Sequence, residues 1–163
     1  MTAAGTTFAN GLTVAPATVA SIETAPNIAS LLAEYAGEGL IAGLPPPAAK
    51  WDTYRALEAA GLLQAFAATV GGELVGFITV LTATLPRHAR PLATSESFFV
   101  AAAHRRSGAG RRLLRAAETR AREAGALGLL VGAPAGGRLA EVLPRSGYIE
   151  TNRVFFRSLA DGN

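Results

Sequence analysis

Between an expected strand at Ser95–Val100 and an expected helix at Gly110–Ala124 lies the stretch Arg105-Arg106-Ser107-Gly108-Ala109-Gly110. This junction constrains the chain more than any other segment. It commits a strand and a helix to meet through a glycine-bearing loop, and that meeting makes an anion site. The N–H groups of a helix's first turn lack intrahelical partners, and the macrodipole favours negative charge there. Glycine lets a phosphate approach backbone that a Cβ would shield. A phosphate or pyrophosphate ligand is therefore expected against these residues.

The 163 residues fit one domain over 1–163 with a sizeable core, residues 1–10 being a short flexible or edge segment. Half of the residues are hydrophobic and 17% are charged, which indicates a folded chain and not a disordered one. The absence of cysteine excludes disulfides, cysteine-based zinc sites and thiol catalysis, and no metal site is expected. No basic segment leads into an apolar leader, and no uncharged apolar run approaches roughly 18 residues. A cytoplasmic protein without a membrane span is expected. Formal net charge is +3, unevenly spread. Nine arginines face two glutamates between residues 87 and 122, a net of +7 that leaves −4 for the remainder. A local positive field suits an anionic ligand.

Along the chain, Leu12–Ala17 is expected to form a first strand. Thr24 and Pro26 are start signals for a helix to about Ala36, with Ile28, Leu31, Leu32 and Tyr35 on one face. Gly43-Leu44-Pro45-Pro46-Pro47 is a rigid extended loop, and a helix over Trp51–Ala60 stops at Gly61. Gln64–Val70 and Glu73–Leu81 form a hairpin closed by Gly71-Gly72. After the 110–124 helix, in which Glu118 and Arg122 form an i,i+4 pair, come a buried strand at 127–131 and a helix at 137–146 ended by Gly147. Closing strands are expected at 148–151 and 154–159. The order is β-α-α-β-β-β-α-β-α-β-β, an α/β (α+β) arrangement with helices packed on a mixed sheet.

The segment from Val100 through Arg105-Arg106-Ser107-Gly108-Ala109-Gly110 to Leu114 resembles the acyl-CoA-binding segment of the GNAT N-acetyltransferase superfamily. That family carries Arg/Gln-x-x-Gly-x-Gly/Ala at this junction. The element order and Gly147-Tyr148 ahead of a hairpin are also similar to the family. The resemblance implies a mostly antiparallel central sheet of about seven strands flanked by about four helices. It implies acetyl-CoA as acetyl donor and an amine acceptor, with no metal. Pyrophosphate would lie on the amides of Arg105, Arg106, Ser107, Gly108, Ala109 and Gly110, with Arg111 beside it. Backbone groups of Phe98, Phe99 and Val100 would hold the pantetheine arm where this strand splays from the next. Homodimers are frequent in the family. Three positions depart from its pattern. Ala102 replaces a usual proline, Gly136 a usual asparagine, and Leu143 a tyrosine that protonates the leaving thiolate. A thiolate is nonetheless a tolerable leaving group without such help.

Glu96 is the candidate general base. Regular alternation puts it on one face with Phe98 and Val100. The competing reading is a solvated glutamate paired with Arg87 or Arg90. His104 is expected to pack or cap. His88, Tyr35 and Tyr54 are weaker candidates for acceptor contact, with core or rim positions as the alternative for the tyrosines. Tyr148 is expected in the core, and Trp51 is expected to anchor the loop after Pro47. Arg112, Arg115, Arg120 and Arg122 read as a solvated face.

Two functions are carried forward: an acetyl-CoA-dependent N-acetyltransferase, and a non-catalytic CoA-binding or interaction protein of the same fold. Nucleic-acid binding is disfavoured by the lack of stacking aromatics among the basic residues and of a helix-turn-helix pattern. A P-loop is disfavoured because no Gly-Lys-Ser/Thr follows the glycines.

Overall fold

Two glycines with positive φ, Gly71 (58°) and Gly72 (85°), close the hairpin between β3 (Leu63–Val70) and β4 (Glu73–Thr84). A two-residue turn of this kind matches the twist of paired strands. It sets the pairs Val70↔Glu73 and Thr69↔Leu74; the register then shifts by one residue and runs from Ala68↔Gly76 to Leu63↔Leu81. The computed structural model describes residues 5–86 and 89–159, and the sheet grows outward from this hairpin. β2 (Leu12–Ala17) pairs with β3, and β1 (Thr6–Thr7) covers the outer side of β2. β5 (Pro91–Val100) pairs with β4, and β6 (Leu129–Leu130) adds to β5 as the one parallel neighbour among the described residues. The order is β1-β2-β3-β4-β5-β6.

Each face of the sheet carries its own helices. The helix α4 (Ala109–Glu123) buries Leu113, Leu114, Ala117 and Ala121 against Ile78, Val80, Ala93 and Val100. The spacing of those four is that of one helical stripe. On the opposite face lie α1 (Val19–Glu23), α2 (Ile28–Glu38) and α3 (Trp51–Ala59), where Ile22 and Leu31 meet Phe77 and Phe99. Leu113 is fully buried in the first layer. Leu113→Ala is expected to cost about 2–5 kcal/mol, since truncation leaves a cavity as well as losing contacts. A lowered midpoint in urea at unchanged slope checks this.

Several expectations need correction. Six strands are present among the described residues, where about seven were expected. Neither closing strand forms. Residues 148–159 have no regular structure, and Ile149, Val154, Phe155 and Leu159 are exposed. The physical reason lies in β6. It is two residues long, bounded by Gly128 and Gly132, and is too short an edge to template four- to six-residue partners. A further helix, α1, precedes the expected one. Thr18 caps it through its side chain, reciprocated by Ser21. Thr24 then ends this helix instead of starting the next. The expected 137–146 helix divides into α5 (Arg138–Val142) and a 3-10 turn (Pro144–Ser146) ended by Gly147 at φ 87°. Glu118, expected beside Arg122, instead accepts the Tyr148 hydroxyl at 2.7 Å.

Candidate active site

β5 and β6 pair at two positions, Ala93↔Leu129 and Thr94↔Leu130. Past them the Gly132 N–H reaches Ser95 Oγ at 3.3 Å, and the two chains then part. A cavity of about 1030 Å³ occupies the gap. Phe98, Phe99 and Val100 line one wall, Gly132 and Pro134 the other, and Gly108, Gly110 and Arg111 one end. The Ala101 N–H donates to Val75 O at 2.9 Å, toward β4. Antiparallel pairing alternates every residue, so Phe99 also turns its amide to β4, while Phe98 and Val100 present theirs to the cleft. The Val100 carbonyl, which accepts from Arg105 Nε at 3.0 Å, agrees with that parity.

The glycine-bearing loop is held from several directions. Gly108 adopts φ 86° as the residue preceding α4, a conformation that favours glycine. Ser107 Oγ donates to His104 O (2.7 Å) and accepts the Ala109 N–H (3.2 Å). The next amides, of Gly110 and Arg111, lie in the first helical turn with no intrahelical carbonyl to reach. Arg112 donates to Ser107 O at 3.2 Å and lies 3.5 Å over the Phe8 ring. Asn10 donates to that same carbonyl at 3.1 Å.

The three arginines expected near phosphate are placed differently from one another. The Arg105 guanidinium pairs with Glu38 and, at 3.8 Å, with Glu34, tying the loop to α2. Glu34 also accepts the Ala102 N–H at 2.7 Å. Arg111 is exposed at the mouth of the cleft, and Arg106 is exposed outside its lining. His104 is half-buried and lines neither cavity, and Arg87 and His88 lie outside the described residues.

Glu96 sits at a β-bulge. Thr79 pairs with Ser97 and Val80 with Ser95, leaving Glu96 as the extra residue on β5. A bulge interrupts the alternation and re-aims a side chain. The carboxylate therefore joins the α2–α3 face, away from Phe98, contrary to the expected shared face with Phe98 and Val100. Its Oε2 accepts from Tyr54 (2.5 Å) and Ser97, and lies 3.2 Å from the Thr79 hydroxyl. The predicted pairing with Arg90 is not made, as Arg90 donates to Gly125 O at 3.3 Å. Burial, followed by the bond to Glu96, pushes the Tyr54 hydroxyl pKa far up. Burial and then the Glu96 charge raise that of Tyr35, partly offset by the Phe98 amide. Both phenols remain proton donors at neutral pH.

This second cavity, about 200 Å³, is bounded by α1, α2, α3 and the loop through Pro47. Tyr35, Pro47 and Glu96 line both cavities, so the two meet at the carboxylate. Sequence reasoning singled out Glu96 and Tyr54 separately. It missed their contact, and missed Thr79 and Ser97 altogether, because no local pattern joins residues 42 positions apart. Leu143 lines neither cavity; it is buried in the α4-side core and offers no hydroxyl. Tyr148 is half-buried against that core, as expected. Among the described residues, no group of three or more His, Cys, Asp or Glu could hold a metal, and no helix is long and apolar enough to cross a membrane.

A sheet that opens beside a glycine-bearing helix N-terminus defines the acetyltransferase fold, and solved structures share it. A ribosomal-protein-alanine N-acetyltransferase from Brucella melitensis is similar at 20% identity and a TM-score of 0.67, covering 90% of this chain and 97% of that one. An aminoglycoside acetyltransferase from an uncultured soil metagenomic sample is similar at 19% identity and 0.70, covering 93% and 98%. A GCN5-related N-acetyltransferase from Ralstonia eutropha gives 19% and 0.69, covering 90% and 98%. No curated protein matches the chain. The chain belongs to the acetyltransferase (GNAT) family, whose model matches residues 28–137. It is thus an acyltransferase of a family that generally uses acetyl-CoA.

Proposed function

We propose that this enzyme moves an acetyl group from acetyl-CoA directly to a primary amine, with Glu96 receiving the amine's proton. The observation that carries the reading is the meeting of two cavities at Glu96, one long and amide-lined, the other small and walled by helices. The residues fit the donor. The first-turn amides of α4 suit a pyrophosphate, and the Val100 amide is open to the cleft for the pantetheine arm. Glu96 Oε2 is held by hydroxyls, while Oε1 has no hydrogen bond among the described residues and is available to an ammonium or a water. In the reaction the amine nitrogen bonds the thioester carbon, its proton passes to the carboxylate, and the C–S bond breaks to release thiolate. An open amide of β5 serves the charge that grows on the thioester oxygen. Holding amine and thioester together supplies much of the acceleration.

The buried Leu143 favours a second reading, a CoA-binding protein without turnover. Thermal melting with acetyl-CoA, and thiol release over a panel of amines, separate the two. At a hundredfold excess over Kd, bound ligand stabilises by about 2.7 kcal/mol, so the melting temperature is expected to rise by roughly 5–10 °C. Absence of any rise at millimolar acetyl-CoA overturns both readings. A rise without thiol release from any amine supports the second.

A further inference from the structure

Resting on that reading, we infer that the acceptor is a monoamine with an apolar, preferably aromatic, body. The small cavity presents Val19, Ile22, Leu32, Phe77 and Trp51 as walls and one carboxylate, Glu96, as its charged group. The other acids of the enclosing helices are already committed. Glu23 and Asp52 bind Arg55, and Glu58 accepts the Val19 N–H at 2.9 Å. One ammonium can therefore be paired. A second would be left against apolar wall, where an unpaired charge is strongly disfavoured.

Size agrees with charge. A dry cavity of about 150 Å³ holds a benzene ring, so about 200 Å³ accommodates one ring with a short aminoalkyl arm. Tyr35, Trp51 and Tyr54 line the cavity together with the carboxylate, and aromatic faces attract an ammonium in addition to packing on a ring. Polyamines fail on charge, carrying several cations, and aminoglycosides fail on both counts, with several cations and a larger polar body.

The lone tryptophan of the chain, Trp51, lines this cavity and reports its occupancy. The protein without cofactor is titrated with 2-phenylethylamine, 2-phenylethanol, spermidine and tobramycin while Trp51 emission is followed. Thiol release from acetyl-CoA is measured with the three amines. The expected result is saturable binding of 2-phenylethylamine, at least tenfold tighter than 2-phenylethanol, spermidine or tobramycin, and the highest kcat/KM for it. The preference for the amine over the alcohol should vanish in Glu96→Gln. Tighter binding or faster turnover of either polycation overturns the inference, as does equal binding of the alcohol and the amine. A melting shift with acetyl-CoA on the same preparation keeps the outcomes apart. If the shift is present and 2-phenylethylamine does not bind, this inference falls and the cofactor reading stands. If the shift is absent while 2-phenylethylamine binds, the cofactor reading falls and with it the acceptor role, leaving the cavity a monoamine-binding site.

Discussion

Gly110→Leu is expected to remove acetyl-CoA binding while leaving the fold intact. A Cβ at this position would lie 3.6 Å from the Phe98 ring and 3.8 Å from the Val100 side chain, so the first carbon fits. The remaining carbons of leucine have then to enter the space between helix and strand, where the donor's phosphates would approach the amides of Gly110 and Arg111. Losing two hydrogen bonds to a charged group, at roughly 1.5–3 kcal/mol each, raises Kd by about 100-fold or more. Gly110 has no positive φ, and leucine is a better helix former than glycine by nearly 1 kcal/mol, so the melting temperature should hold or rise. Gly108 is the less informative site. Its φ of 86° is unfavourable for any side chain and its Cβ would meet Arg112 at 3.3 Å, so folding and binding would change together. Calorimetric titration with acetyl-CoA decides the matter. Wild-type affinity in a folded Gly110→Leu protein would remove the helix N-terminus from the site.

Glu96→Gln should lower kcat/KM by about 10²- to 10⁴-fold, the usual contribution of a positioned base, with affinity for acetyl-CoA unchanged. Glutamine keeps an oxygen for Tyr54 and Ser97 but cannot take up a proton. The pH profile gives the sharper reading. An unchanged profile and turnover would assign the base elsewhere.

The strand–loop–helix junction, the glycine-closed hairpin and the α4 stripe were legible because each rests on local periodicity or on glycine stereochemistry. The bulge was not. Ser95, Glu96 and Ser97 alternate smoothly on paper, and the slip against Thr79 and Val80 depends on how a 12-residue strand and a 10-residue strand settle against each other. The Arg105 clamp was missed for a related reason. Its partners Glu34 and Glu38 lie about 70 residues away, one helical turn apart on α2, and nothing near the loop announces them. The closing strands failed because Val154–Leu159 has strand-like composition, whereas pairing also needs an edge of matching length, and β6 supplies two residues.

On the role proposed for Glu96, the bulge makes the chemistry of this enzyme a matter of counting. Deleting one residue between Pro91 and Ser95 would let β5 absorb the slip. Glu96 would then turn from the α2–α3 face of the sheet to the α4 face, with no side chain altered. Within such a lineage, activity can be switched off or relocated by a single codon's change in length, and comparisons that track residue identity while ignoring strand register would not see it happen.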